Sequence, residues 1–231
     1  MNVQTQRIII DGPAGPLEMA IDHPIAKSTD PDRDPYEKAG PNGLAVIAHP
    51  HPLFGGTLDN KVVQTIARSM VAHNMVCIRP NFRGVGQSQG QHDNGQGEQD
   101  DLWAAWQWAE QNYQDKVGPH RWMGGFSFGA VMVTHVAHDW HARRQTAGLP
   151  DLPCQVSLLV GLAAERFAPS PINETVRLIH GEQDEVVSLA SVMRFAQGHR
   201  QPVAVMPAAG HFFHGALPDL RKMIDRALAD V

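Results

Sequence analysis

The chain has 231 residues, 42% of them apolar, which is enough to bury one substantial core, and a single domain over residues 1–231 is expected. Its 24 acidic and 19 basic side chains give a net charge of −5, and no basic block is present to neutralise a phosphate backbone, so nucleic acid is not an expected partner. No signal-peptide core or membrane-length apolar run occurs, and Cys77 and Cys154 are the only cysteines, so the expectation is a cytoplasmic protein with no membrane partner and no disulfide framework.

The chain opens as a hairpin, with extended segments at residues 7–10 and 17–21 separated by the turn formers Asp11 to Pro16. Residues 23–43, with four prolines and many charges, read as a surface excursion. Beyond it, short apolar runs at 44–48, 75–78, 120–126, 156–160, 176–179 and 203–206 predict buried strands. Helices are predicted between and after them at 60–73, 99–113, 128–141, 188–197 and 217–231. In the second helix Leu102, Trp103, Trp106, Ala109 and Tyr113 recur at helical spacing and read as core. The alternation predicts an α/β fold with a mostly parallel sheet of about eight strands and helices on both faces. Only residues 161–175 lie between two successive strands, too few for a lid domain.

Gly-x-Ser-x-Gly occurs twice, around Ser88 and around Ser127. A nucleophile elbow needs a strand directly before the serine and a helix directly after it. Ser127 has both. Ser88 is followed by the polar, glycine-rich run 91–97, which reads as loop unable to start a packed helix, so Ser88 is expected to be structural.

A serine hydroxyl needs a base, and the base needs an orienting group. Asp184 and then His211 follow Ser127 in the chain order that α/β-hydrolases use, each just beyond a predicted strand, where such sheets bind ligands. Glu182 and Glu185 compete with Asp184, and His214 with His211. His211 is preferred because Ala208, Ala209 and Gly210 let its loop approach closely. His135, His138 and His141 share a helix at three-residue spacing, but no His-Glu-x-x-His or paired cysteines accompany them, so no metal is expected. Glycine spacing around residues 84–90 does not match dinucleotide binding, because position 89 is Gln.

These features resemble the α/β-hydrolase superfamily over nearly the whole chain. The segments His49 to Thr57, Asn81 to Ser88 and His211 to Gly215 are more narrowly similar to a group of small bacterial α/β-hydrolases without a lid, described as predicted esterases. That resemblance implies a Ser127, Asp184, His211 triad and no organic cofactor. It further implies an oxyanion hole from the backbone N–H groups of Phe128 and of Phe54, with Leu53 the alternative to Phe54. Pro50 and Pro52 depart from the commoner glycine pattern and donate no N–H. Asn81 stands where larger relatives carry aspartate and reads as a turn stabiliser; Arg83 is given no catalytic role. The expected activity is hydrolysis of small or short-acyl carboxylic esters through an acyl-enzyme. An acyltransferase, thioesterase or peptidase on the same triad, or a non-catalytic ligand-binding protein, is the alternative.

Overall fold

A computed structural model describes residues 5–24, 40–154, 156–172 and 175–229. The excursion expected at 23–43 falls mostly outside them. Among the described residues eight strands form one sheet: β1 (Thr5–Gly12), β2 (Gly15–Asp22), β3 (Gly43–Ala48), β4 (Met75–Pro80), β5 (His120–Phe126), β6 (Val156–Val160), β7 (Thr175–Gly181) and β8 (Val203–Met206). Their order across the sheet is β1-β2-β4-β3-β5-β6-β7-β8. Pairing is antiparallel from β1 through β2 to β4 and parallel from there on. β1 and β2 pair as far as Gly12 and Gly15, so the hairpin connection is tighter than its turn-rich sequence suggests.

The helices are α1 (Lys61–Ala72), α2 (Gln96–Tyr113), α3 (Phe128–His138), α4 (Trp140–Thr146), α5 (Leu189–His199) and α6 (Leu217–Ala229). Two apolar cores lie on opposite faces of the sheet. One is built by α2, α3 and α5, with Trp103, Trp106, Phe128 and Val192; the other by α1 and α6, with Val63, Ile66, Leu220 and Ile224. Nearly every residue of β3, β4 and β5 is buried, as strands covered on both sides must be.

Two helix boundaries differ from the sequence reading. α2 begins at Gln96, inside the run read as loop, because side chains satisfy its first N–H groups. The Glu98 carboxylate accepts from Gly95 N–H at 2.8 Å, and Asp93 accepts from Gly97 N–H at 2.7 Å. The helix predicted through residue 141 ends at His138, and α4 follows Asp139. That break turns Trp140 into the core, where its ring packs on Trp106 at 4.9 Å and its Nε1–H donates to Leu152 O at 2.7 Å. His135, His138 and His141 bond separately to Ser170, the Pro171 carbonyl and Asp151. Between β6 and β7 the described residues form turns and no helix. No helix among the described residues is long and apolar enough to cross a membrane.

Candidate active site

The parallel strands end in loops on one edge of the sheet, and the candidate residues sit there. Ser127 joins β5 to α3 with φ 57° and ψ −116°, a conformation that L-residues rarely adopt. Its N–H donates to Val160 O at 2.9 Å, tying the elbow to the neighbouring strand. The turn is sharp enough that α3 starts against β3: a Cβ on Gly129 would lie 2.4 Å from His49 O. Only glycine fits that approach.

Asp184, just beyond β7, and His211, beyond β8, complete a continuous hydrogen-bonded line. His211 Nδ1 lies 2.7 Å from Asp184 Oδ2, and His211 Nε2 lies 3.0 Å from Ser127 Oγ. A carboxylate only accepts, so Nδ1 carries the imidazole proton, and Nε2 accepts from the serine hydroxyl. The other oxygen of Asp184, Oδ1, accepts from Val186 and Val187 N–H at 2.9 and 2.7 Å. Burial pushes the Asp184 carboxyl up, but His211 and these two N–H groups outweigh it, and the net shift is downward. The side chain therefore stays ionised behind the imidazole.

The rivals stand elsewhere. His214 is exposed, Glu182 accepts from Ala208 N–H at 2.9 Å, and Glu185 is exposed. Ser88 is a buried loop residue whose hydroxyl donates to Asn81 O at 2.8 Å and accepts from Glu18 N–H at 2.9 Å. Asn81 accepts from Leu58 N–H at 2.8 Å and donates to Glu18 at 2.7 Å, and Arg83 pairs with Asp101 and Asp93 beside the start of α2.

Phe128 opens α3, where a first-turn N–H has no partner within the helix. Phe54 does not offer a second such donor, which corrects the sequence reading. Residues Pro52–Phe54 form a single 3-10 turn in which Phe54 N–H donates to His51 O at 3.1 Å. Leu53 N–H is likewise engaged, by His51 Nδ1 at 3.2 Å. The His51 N–H makes no hydrogen bond among the described residues.

A buried histidine orients that N–H. His49 Nε2 accepts from Phe82 N–H at 2.9 Å, which places the ring proton on Nδ1, and Nδ1 donates to Pro50 O at 2.6 Å. In a trans peptide the carbonyl and the following N–H point in opposite directions. Holding the Pro50 carbonyl inward therefore turns the His51 N–H outward, toward the cavity it lines beside Ser127 and Phe128. Gly56 makes room for the same carbonyl, which a Cβ there would meet at 2.0 Å. Burial pushes the His49 imidazole down to about 4, so the ring stays neutral.

His180 is a second buried histidine that sequence reasoning did not single out. Its Nε2–H donates to Val187 O at 3.0 Å, on the residue whose N–H holds Asp184, and lies 3.4 Å from Asp184 Oδ2. The cavity over Ser127 has a volume of about 270 Å³. Its walls are largely aromatic and aliphatic, with Phe54, Phe128, Phe167, Phe212, Val186 and Val187 among them, and Arg166 stands at its edge.

The model of the X-Pro dipeptidyl-peptidase (S15) family matches residues 28–148, just over half of the chain; the match includes Ser127 and stops before Asp184 and His211. An α/β serine hydrolase homologue from Coxiella burnetii is 35% identical, with 99% of this chain and all of that one covered and a TM-score of 0.79. A lidless α/β serine hydrolase from Xanthomonas campestris is 31% identical, with 100% and 96% covered and a TM-score of 0.80. The protein RP471 of Rickettsia prowazekii is 29% identical over 97% of this chain and 89% of its own length.

Proposed function

Because the chain belongs to the α/β-hydrolase superfamily, within the family that the S15 model describes, we propose that it is a serine hydrolase of small or short-acyl carboxylic esters. The observation that carries this reading is the unbroken line from Asp184 through His211 to Ser127, at 2.7 and 3.0 Å.

Ser127 Oγ attacks the ester carbonyl carbon while its proton passes to His211 Nε2, and the carbonyl electron pair moves onto oxygen. Asp184 stabilises the imidazolium so formed and is not itself protonated. The N–H groups of Phe128 and His51 receive the oxyanion. As the tetrahedral adduct collapses, the bond to the alcohol oxygen breaks and His211 returns its proton to that oxygen. Water then attacks the acyl-Ser127 ester, giving its proton to His211; collapse releases the carboxylic acid and restores the serine hydroxyl. A cavity of about 270 Å³, with no lid over it among the described residues, favours short acyl groups.

The test is hydrolysis of 4-nitrophenyl acetate. Ser127→Ala and His211→Ala should each lower kcat by at least about 10³-fold, while exposed His214→Ala stays near the parent rate. Retention by His211→Ala together with loss by His214→Ala would overturn the assignment of the base. The S15 match favours a second reading, release of X-Pro dipeptides, which Gly-Pro-4-nitroanilide would report. A dipeptide released from an amino terminus brings an ammonium group into the site. The charged side chain at this cavity is a cation, Arg166, which favours the ester.

A further inference from the structure

Three side chains on the cavity wall outside the Ser127–His211 pair keep donors that have no acceptor among the described residues. Arg166 lies on the turn between β6 and β7; its guanidinium is exposed and makes no ion pair or hydrogen bond among the described residues. The neighbouring carboxylate, Glu165, is engaged instead by the Ser188 hydroxyl. His51 uses Nδ1 to accept from Leu53 N–H, which leaves the proton of the neutral ring on Nε2, and Nε2 has no partner among the described residues. Burial first, then the charges of His92 and Arg166, push the His51 imidazole down, so it is a neutral donor that also feels the Arg166 charge. Asn60 uses Oδ1 to cap α1, accepting from Val62 and Val63 N–H, and leaves its two Nδ2 protons without a described acceptor.

All three side chains line the cavity that holds Ser127, and no carboxylate among the described residues lines it. A cation, an imidazole N–H and an amide NH2 set among phenylalanine rings ask for an anionic oxygen group carried on an apolar body. In a chain of net charge −5, this local excess of donors runs against the molecule's own balance.

We propose that Arg166, with His51 and Asn60, forms a subsite for a substrate carboxylate, so that the preferred substrates are esters bearing a carboxylate in addition to the ester bond. The role in turnover rests on the ester-hydrolase reading; the binding of a carboxylate does not. Such a substrate would be oriented by its charge at the cavity edge and held by its apolar part against Phe54 and Phe167, with the scissile carbonyl at Ser127. A neutral ester of the same size lacks the first anchor.

The test separates binding from chemistry. Calorimetric titration of the full chain carrying Ser127→Ala compares 3-phenylpropionate with 3-phenylpropionamide, equal in size and different in charge. The carboxylate should bind about tenfold more tightly than the amide, as a charge-assisted contact at a partly dry site does, and the preference should weaken in 0.5 M salt. Adding Arg166→Ala should reduce the ratio to about one; Arg166→Lys, which keeps the charge and loses the fork, should retain part of it. Equal binding of the two ligands, a ratio unchanged by Arg166→Ala, or no saturable binding of the carboxylate overturns the subsite. Failure of the unmutated protein to hydrolyse 4-nitrophenyl acetate, with carboxylate preference intact, would overturn the hydrolase reading and leave the subsite standing.

Discussion

At the scale of single residues, the site depends on groups that never touch a substrate. His49 sits under the loop that carries His51 and fixes the Pro50 carbonyl, and through the rigid peptide it fixes the direction of the His51 N–H. His49→Phe keeps a ring of similar volume and removes that contact. It should lower kcat for 4-nitrophenyl acetate by about 10²-fold with little change in KM, as loss of an oxyanion donor does. An unchanged kcat in the folded variant would show that the loop holds itself. Ser127, Asp184 and His211 were legible in the sequence because a nucleophile elbow and the order of its partners leave a linear trace. The unengaged N–H at His51 was not legible in that way. Likeness to glycine-rich loops pointed to Phe54, but which N–H is already committed depends on the 3-10 turn. One linear signal was present: His51 lies between two prolines, neither of which can donate.

At the scale of elements, the fit of α3 against β3 sets the position of the nucleophile. Gly129→Ala would place a methyl group 2.4 Å from His49 O and 2.5 Å from Ala48 O, both backbone atoms that cannot swing aside. The helix must shift, and the expected cost is about 2 kcal/mol, read as a lower midpoint in urea unfolding together with a fall in kcat. Wild-type stability and rate would mean that the elbow tolerates a looser packing. Strands were legible because a short, continuous apolar run bounded by turn residues suits a strand covered on both faces and is too brief for a buried helix. Helix ends were less so. The start of α2 depends on Glu98 and Asp93 reaching back to N–H groups, and the break at Asp139 depends on the pocket that receives Trp140; neither is a property of local propensity.

At the scale of the whole molecule, one sheet with a core on each face brings together four loops separated by up to about 160 residues of chain. The same burial makes stability depend on pH. His49 is lowered to about 4 by burial, and His180 and His135 are lowered for the same leading reason. The unfolded chain takes up these protons near pH 6.5 and the folded chain does not, so stability is fully present above about pH 6.5 and falls as pH drops toward 4. His49 alone contributes on the order of 3 kcal/mol across that window. Urea midpoints measured from pH 7 to 4.5 should fall, and the slope should be shallower in His49→Phe; equal slopes would remove His49 from the account. The sheet is proposed to deliver an activated serine at position 127. Reaction with a fluorophosphonate probe, followed by peptide mass mapping, reads out that activation. One adduct on Ser127, absent from Ser127→Ala and strongly reduced in His211→Ala, is the predicted result. A folded wild-type protein that takes up no probe, or carries it on Ser88 instead, would show that Ser127 is not an activated nucleophile.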